Sequence, residues 1–297
     1  VEQLLYTTDT IAGNLKQLSV KEKSGFDLQK FKTQFAYYPQ GAYLTNLYLQ
    51  TSNTLLQDKL VVKYPSLDAL KTQMGLMQLQ LQLKNSIVGM ADVLLFAPQL
   101  RTQEIFKRYG NDKLNVNAAI EGYVNALNIK TFQLSGLGGT YVDINGRLNG
   151  LPDADRLNYN LAIKRLQSQK ATVMAFMPAS LKQQVDLPSS FNITGRVSGN
   201  VKDYNTDLLA TTTDGNAVIK GKILMSPGEG KERYDVIIKT ENLNLGKILH
   251  KDSLMGRITA NISAKRQSFD VNYMDAMLKG EILLAGFMGY NYKAINF

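Results

Sequence analysis

The sequence contains no cysteine and no tryptophan, and it has one histidine and seven prolines among 297 residues. The missing cysteines exclude disulfide cross-links, thiolate zinc sites, iron–sulfur clusters and cysteine nucleophiles. His250 alone cannot supply the several imidazoles of a histidine-based metal site. With neither kind of ligand set available, we expect no metal ion and no cofactor.

The sequence also lacks a signal-peptide pattern and any uninterrupted apolar run of roughly 18 residues, the length that a membrane-spanning helix needs.

The sequence motifs of the common catalytic machineries are missing as well. There is no G-x-S-x-G, no H-E-x-x-H and no P-loop, and the glycine-rich segments 136–139 and 215–222 depart from nucleotide-binding patterns. Asp153 and Asp155 lie in a polar stretch typical of a solvated turn. His250 closes a short helical stretch, where the helix dipole favours a cation. We expect no catalytic residue, although two carboxylates far apart in sequence could still form a glycosidase pair.

The charge balance is strongly basic. Lysine and arginine number 34 against 25 aspartates and glutamates, which gives a formal net charge of +9. The basic residues are spread over the polar positions of alternating segments, and neither a basic cluster of roughly 5–8 residues nor an RNA-binding aromatic motif occurs. We therefore expect no nucleic-acid partner, while a secondary attraction to anionic lipid head groups stays open.

An alternation of apolar and polar residues dominates the sequence. Residues 77–84 alternate without a break. Weaker versions occur at residues 157–164, 234–239, 258–265 and 269–273. This period of two is typical of β-strands that bury one face and expose the other. Because turn signals such as residues 227–230 separate the segments, the pattern predicts about 15 strands of roughly 7–12 residues.

Short helical stretches interrupt the strands and repeat along the chain. They are predicted at residues 92–97, 102–110, 171–176 and 245–250, with Thr102 as an N-cap. Residues 81–84 match 161–164, and residues 93–98 match 173–178 at the same offset of 80, ending on a proline in both copies. A third, weaker copy begins near Val236. We therefore expect repeats of about 75–80 residues that stack along an axis.

The repeats divide the chain into units. The predicted units are residues 1–110, 111–182 and 183–254, followed by the truncated start of a further unit at 255–297. Because the chain stops within an alternating segment, we expect it to be part of a longer protein. The predicted fold is all-β and mostly antiparallel with a few short helices, in the form of an elongated, curled sheet or trough. A closed β-sandwich is the alternative that alternation leaves open.

The apolar positions of the alternating segments form the candidate binding surface. In an open, curled sheet they would line a groove for acyl chains, whereas in a closed sandwich they would form the core. Methionine and aliphatic side chains suit a soft, non-specific apolar lining. The candidate groove residues are Met77, Leu79, Leu81, Leu83, Leu161, Ile163, Val236, Ile238, Ile258 and Ile262.

Several segments carry a resemblance to a known family. They are DTIAGNL at 9–15 with LSVKEKSGFDL at 18–28, the strand-and-helix passage 83–98, VDINGRLNGLPDA at 142–154, and GYNYK at 289–293. On these segments the chain resembles the AsmA-like superfamily and, within it, the TamB-like proteins of Bacteroidota. The sequence spans neither the membrane anchor nor the C-terminal domain of TamB-like proteins, so the choice between TamB and other AsmA-like members stays open.

The resemblance implies a place and a task in the cell envelope. TamB-like proteins are anchored in the inner membrane and cross the periplasm, and their β-sheet curls into a long trough with an apolar interior. They partner an Omp85-family barrel of the outer membrane. They serve outer-membrane biogenesis, through phospholipid transport or through the assembly of outer-membrane proteins. No catalytic residue carries over from the family.

We therefore expect a non-enzymatic, periplasmic segment whose apolar trough holds phospholipid acyl chains or outer-membrane proteins. Two alternatives belong to other classes. A β-sandwich or solenoid adhesin or carbohydrate-binding module would be favoured by an exposed platform built from some of the 15 tyrosines. A β-helical polysaccharide enzyme would need a cleft with clustered carboxylates.

Overall fold

The computed structural model describes residues 1–23, 25–177, 182–183, 185–225, 233–267 and 275–297. Three sequence predictions lie outside these residues, namely Pro178 as the end of the second repeat motif, the turn at 227–230 and the alternating segment 269–273. The chain divides into two units, Val1–Leu157 and Asn158–Phe297.

The first unit is an antiparallel sheet in which each strand pairs with the next strand along the chain. Its strands are β1 (Glu2–Tyr6), β2 (Ile11–Lys21), β3 (Asp27–Tyr38), β4 (Gly41–Thr51), β5 (Leu55–Lys63), β6 (Gln78–Gly89), β7 (Lys113–Tyr123), β8 (Ala126–Gly136) and β9 (Thr140–Asn149). Its helices are α1 (Ala69–Thr72), α2 (Met90–Phe96) and α3 (Glu104–Tyr109), accompanied by 3₁₀ turns at Met74–Leu76, Pro98–Thr102 and Ala154–Arg156.

The second unit has the same construction. Its strands are β10 (Asn158–Gln169), β11 (Ser190–Asn200), β12 (Asp203–Thr212), β13 (Gly215–Leu224), β14 (Arg233–Asn244), β15 (Met255–Gln267), β16 (Asp275–Phe287) and β17 (Tyr290–Asn296). Each pairs antiparallel with the next. Its helices are α4 (Lys170–Phe176) and α5 (Leu245–Ile248).

The predicted fold class is confirmed, since the protein is all-β and antiparallel with a few short helices. Among the described residues of either unit, no pairing joins the first strand to the last, so neither sheet closes on itself. Register shifts interrupt the pairing of neighbouring strands, for example between Thr45 and Leu47 in β4 and between Leu83 and Ser86 in β6. Such bulges bend strands and increase their twist, which accounts for a curled, trough-like sheet.

The strand-and-helix element of the sequence repeat has matching bounds in the two units. Strand β6 and helix α2 span Gln78–Gly89 and Met90–Phe96, and β10 and α4 span Asn158–Gln169 and Lys170–Phe176, so every boundary is displaced by 80 residues. The register shifts against the following strands, at 83–86 and 163–166, have the same displacement. The two copies thus share backbone irregularities as well as an apolar pattern.

One helix start differs from the sequence prediction. Thr102 is not the N-cap of a helix at 102–110, because it lies in the preceding 3₁₀ turn and α3 begins at Glu104. The Thr102 hydroxyl donates a hydrogen bond to the carbonyl oxygen of Gln99 at 3.1 Å. The N-cap position of α3 is occupied by Gln103, whose side chain makes no capping hydrogen bond.

Glycines allow close approach between strands of the second unit. Gly195 in β11 and Gly221 in β13 have φ angles of +134° and +149°, which other residues rarely adopt. A Cβ atom at Gly195 would lie 2.0 Å from the carbonyl oxygen of Asp207, and one at Gly221 would lie 2.1 Å from that of Asp235. The antiparallel ladder at these points therefore requires glycine.

Candidate functional site

A row of apolar side chains crosses the sheet of the first unit. Residues that pair directly across neighbouring strands place their side chains on the same face. Following the pairing from β3 to β8, we define the Leu81 row as Phe35, Leu44, Leu60, Leu81, Ile120 and Ile129. All of these side chains are buried or half-buried. The predicted groove residues Leu79 and Leu83 share this face, because they lie two positions from Leu81 in β6. Met77, also half-buried, lies just before β6.

Two parallel rows cross the sheet of the second unit. The Ile163 row consists of Ile163, Leu208, Ile219, Ile238 and Ile262, with Gly195 between the first two. The Leu161 row consists of Leu161, Val197, Thr206, Val236, Ala264 and Leu278, with Gly221 between Thr206 and Val236. Ile258 lies on the same face, four positions before Ile262 in β15. The structure therefore brings the predicted groove residues of this unit onto one face of its sheet.

The opposite face of each sheet is mostly polar. In the first unit, Gln78 and Gln80 are exposed and Gln82 is half-buried, and Lys130 pairs with Glu121 at 2.7 Å. In the second unit, cross-strand ion pairs follow one another along the sheet. They are Lys220–Asp207 at 2.9 Å, Lys222–Asp203 at 3.0 Å and Lys265–Asp235 at 3.1 Å. Such exposed pairs contribute little stability, so they mainly mark the face that water covers.

Short helices cover one end of the apolar face in the first unit. Met90 of α2 is buried with Leu114, Val116 and Ala118 of β7. Leu81, Leu83, Ile120 and Phe106 of α3 pack against this cluster and are only partly buried. The apolar face is therefore closed beneath the helices and more accessible beyond them.

A buried carboxylate fixes α2 to the sheet. Asp92 is 9% exposed, and its carboxylate accepts hydrogen bonds from the Thr51 hydroxyl at 2.5 Å and from the Asn53 side-chain amide at 3.2 Å. Burial alone would raise the pKa of Asp92, but hydrogen bonds from Thr51, Thr54 and Asn53, together with attraction to Lys113, lower it overall. The ionised carboxylate therefore anchors the helix to the turn between β4 and β5.

The second unit holds α5 to a turn of the sheet by an ion pair. Lys247 of α5 places its Nζ 2.9 Å and 3.0 Å from the two carboxylate oxygens of Asp214, which lies in the turn between β12 and β13 and is 6% exposed. The Asn244 side chain caps the helix by accepting from the N–H of Lys247 at 3.2 Å. Neither Asp92 nor Asp214 was predicted from the sequence as a helix anchor. The only local signal was a single acid beside an apolar run, at Asp92.

No site for metal-dependent chemistry is seen in the parts of the chain that the structure describes. They contain no group of three or more histidine, cysteine, aspartate or glutamate side chains able to hold a metal ion. The sole histidine, His250, is exposed just beyond the end of α5. None of the described helices has the length and apolar character to cross a membrane.

The residues brought together are thus mainly apolar, and their arrangement suits the burial of an apolar ligand rather than bond-making chemistry. The chain matches no protein-family model, no curated protein and no solved structure.

Proposed function

We propose that the apolar face of each sheet holds phospholipid acyl chains, as a non-enzymatic segment of a protein that serves outer-membrane biogenesis. The observation that carries the proposal is the continuity of the apolar rows, since the Leu81 row alone crosses six strands of an open sheet. A sheet that exposes its other face to water needs a reason to keep so broad an apolar face partly accessible.

The physical mechanism is passive. An acyl chain that leaves a bilayer for an apolar face exchanges one apolar environment for another and avoids a cost of about 0.8 kcal/mol for each CH₂ exposed to water. Aliphatic side chains impose little directional preference, so the face would accept chains of differing length. The exposed ion pairs on the opposite face of the second unit keep the sheet in contact with water.

The sequence resemblance extends the proposal to a setting. In that setting the chain works in the periplasm as part of a longer, inner-membrane-anchored protein and partners an Omp85-family barrel. Its cargo is phospholipid in transit between the membranes, or apolar segments of outer-membrane proteins awaiting assembly. We favour phospholipid, because the lining is mainly aliphatic, whereas an unfolded protein also presents backbone groups that need hydrogen-bond partners.

Native mass spectrometry of the whole chain tests this proposal. The protein is purified without detergent, incubated with vesicles of phosphatidylethanolamine and phosphatidylglycerol, separated from them and sprayed intact. We expect masses that correspond to the chain with one or more phospholipids. A spectrum of the bare chain alone would contradict the phospholipid proposal. Binding of an unfolded outer-membrane protein instead of lipid would assign the apolar face to protein assembly.

A further inference from the structure

A cavity lined by tyrosines opens on the first unit. It has a volume of about 630 Å³, within the usual range of about 300–1,000 Å³ for small-molecule sites. Tyr38, Tyr43, Tyr64 and Tyr123 contribute four aromatic rings to its lining. The rest of the lining combines the polar side chains of Gln40, Lys63 and Gln78 with Gly41, Pro65 and Leu76.

The strand register builds this cavity on the polar face. Tyr38, Gly41, Lys63, Gln78 and Tyr123 pair in succession from β3 to β7 and so share a face. Gln78 and Leu81 are an odd number of positions apart in β6, so this row and the Leu81 row lie on opposite faces. The tyrosine cavity is therefore separate from the proposed acyl-chain surface.

A glycine forms part of the cavity floor. Gly41 lies in the row between Tyr38 and Lys63, where any other residue would project a side chain. A Cβ atom at Gly41 would lie 3.0 Å from the carbonyl oxygen of Val62 and 3.3 Å from the Tyr43 ring. The missing side chain leaves room for a ligand between the flanking side chains.

Two of the rings are held in place by their neighbours. Tyr43 contacts Tyr38 edge to face with centroids 5.6 Å apart, and Lys63 Nζ lies 5.9 Å from the centre of the Tyr43 ring. Tyr64 is 7% exposed, and its N–H donates to the carbonyl oxygen of Gln40 at 2.9 Å. Burial, together with a hydrogen bond to Tyr37, raises the pKa of the Tyr64 hydroxyl.

The other two rings are available to a ligand. Tyr38 is 39% exposed and Tyr123 is 51% exposed, so both leave aromatic surface open to solvent. The negative face of an aromatic ring attracts the slightly positive C–H groups of a partner. The side-chain amides of Gln40 and Gln78 offer both donors and acceptors, and Lys63 offers donors, around the same space.

We propose that this cavity binds the pyranose rings of a β-linked oligosaccharide. A β-linked glucose-type ring carries axial C–H groups on both faces and hydroxyls around its edge. The C–H faces match the tyrosine rings, and the hydroxyls match the surrounding side-chain amides. An acyl chain would make no use of the hydrogen-bonding groups of the exposed Gln40, Lys63 and Gln78 side chains, whereas the hydroxyls of a sugar can pair with them. A phosphate group would find a single cation, Lys63, among the lining residues.

Isothermal titration calorimetry of the whole chain with cellohexaose and chitohexaose tests the proposal. We expect binding of at least one of these oligosaccharides in the micromolar to millimolar range. Tyr123→Ala and Tyr38→Ala should each weaken binding about tenfold, because each removes one stacking surface. Tyr123→Phe keeps the ring and should retain most of the affinity. Both substituted side chains are substantially exposed, so the variants should fold, which circular dichroism checks.

Tyr6→Ala is the matched control, since Tyr6 is 75% exposed in β1 and does not line the cavity. Its binding should equal that of the unaltered chain. The proposal is overturned if neither oligosaccharide binds at millimolar concentration. It is also overturned if binding survives both cavity substitutions, or if Tyr6→Ala weakens it equally. Because the cavity lies on the face opposite the Leu81 row, these outcomes are independent of phospholipid binding.

Discussion

Replacing Leu81 with aspartate places a carboxylate in the middle of the Leu81 row. Leu81 pairs with Leu60 on one side and Ile120 on the other, and it is half-buried. The change removes two apolar cross-strand pairs, each worth about 0.2–1 kcal/mol, and part of the roughly 1.5–3 kcal/mol gained by burying a leucine. On an open face the carboxylate can still reach water and avoids most of the penalty of a buried charge. We therefore expect a loss of about 1–3 kcal/mol.

This loss is small enough for the variant to stay folded. A unit of this size loses about 2–4 °C in melting temperature for each kcal/mol, so thermal melts followed by circular dichroism should fall by about 2–12 °C. Phospholipid binding should fall much further, because an acyl chain would now lie against an ion. Native mass spectrometry after incubation with vesicles should show mainly the bare chain.

Gln82→Asp is the matched control on the same strand. Its side chain belongs to the opposite face and pairs with Lys59 across β5, so a carboxylate there has a cation nearby. Melting temperature and bound lipid should both stay close to those of the unaltered chain. A folded Leu81→Asp variant with unchanged lipid would refute the acyl-chain proposal. An unfolded variant would show that the Leu81 row is a closed core, as in the sandwich alternative.

Two further predictions concern the helices that pack on the sheets. Asp92→Ala removes the acceptor for Thr51 and Asn53 and should lower the free energy of unfolding by about 1–3 kcal/mol in urea titrations at pH 7. Because the folded state lowers the pKa of Asp92, its contribution is complete above the unfolded value of about 3.9 and is lost as the pH falls through the lower folded value. The variant and the unaltered chain should therefore converge at acidic pH, and a difference that stays constant would contradict this account. Gly246→Ala would place a Cβ atom 1.8 Å from the carbonyl oxygen of Met255 and should destabilise α5 and its unit by about 3 kcal/mol, measured in the same titrations, whereas a neutral effect would mean that α5 can move off β15.

The strands were predictable because one face of each sheet is exposed to water, so apolar and polar residues alternate along each strand. The alternation of residues 77–84 runs without a break, and β6 forms there as expected before its register shift at Leu83–Ser86. Other strands were harder to delimit, because bulges displace the period. In β4, Asn46 adopts a φ of +51° at a register shift, so apolar residues before and after it no longer follow one alternation. A count of about 15 strands from periodicity is accordingly lower than the 17 strands found among the described residues.

The candidate sites were predictable only where neighbours in sequence determine the geometry. Leu81 could be placed on the apolar side of its own strand, but its pairing with Leu60 and Ile120 depends on register between strands. The hydrogen bond from Thr51 to Asp92 joins residues 41 positions apart, and no local pattern signals it. The tyrosine cavity likewise collects residues from β3 to β7, which the composition indicated only as a surplus of tyrosine.

Gly195 and Gly221, which allow close approach of paired strands, also limit which substitutions this sequence can tolerate. Gly195 lies within the Ile163 row and Gly221 within the Leu161 row, so each interrupts an apolar lining with bare backbone. Several lining residues, among them Leu161, Ile163 and Ile238, are half-buried and can exchange among aliphatic side chains at little cost, whereas the two glycines face carbonyl oxygens too close for any Cβ atom. In related chains the apolar lining positions should therefore vary among aliphatic residues, while the two glycine positions should stay glycine. A saturation-mutagenesis scan of β11 and β13 should show the same contrast, with folding tolerant at the lining positions and intolerant at the glycines.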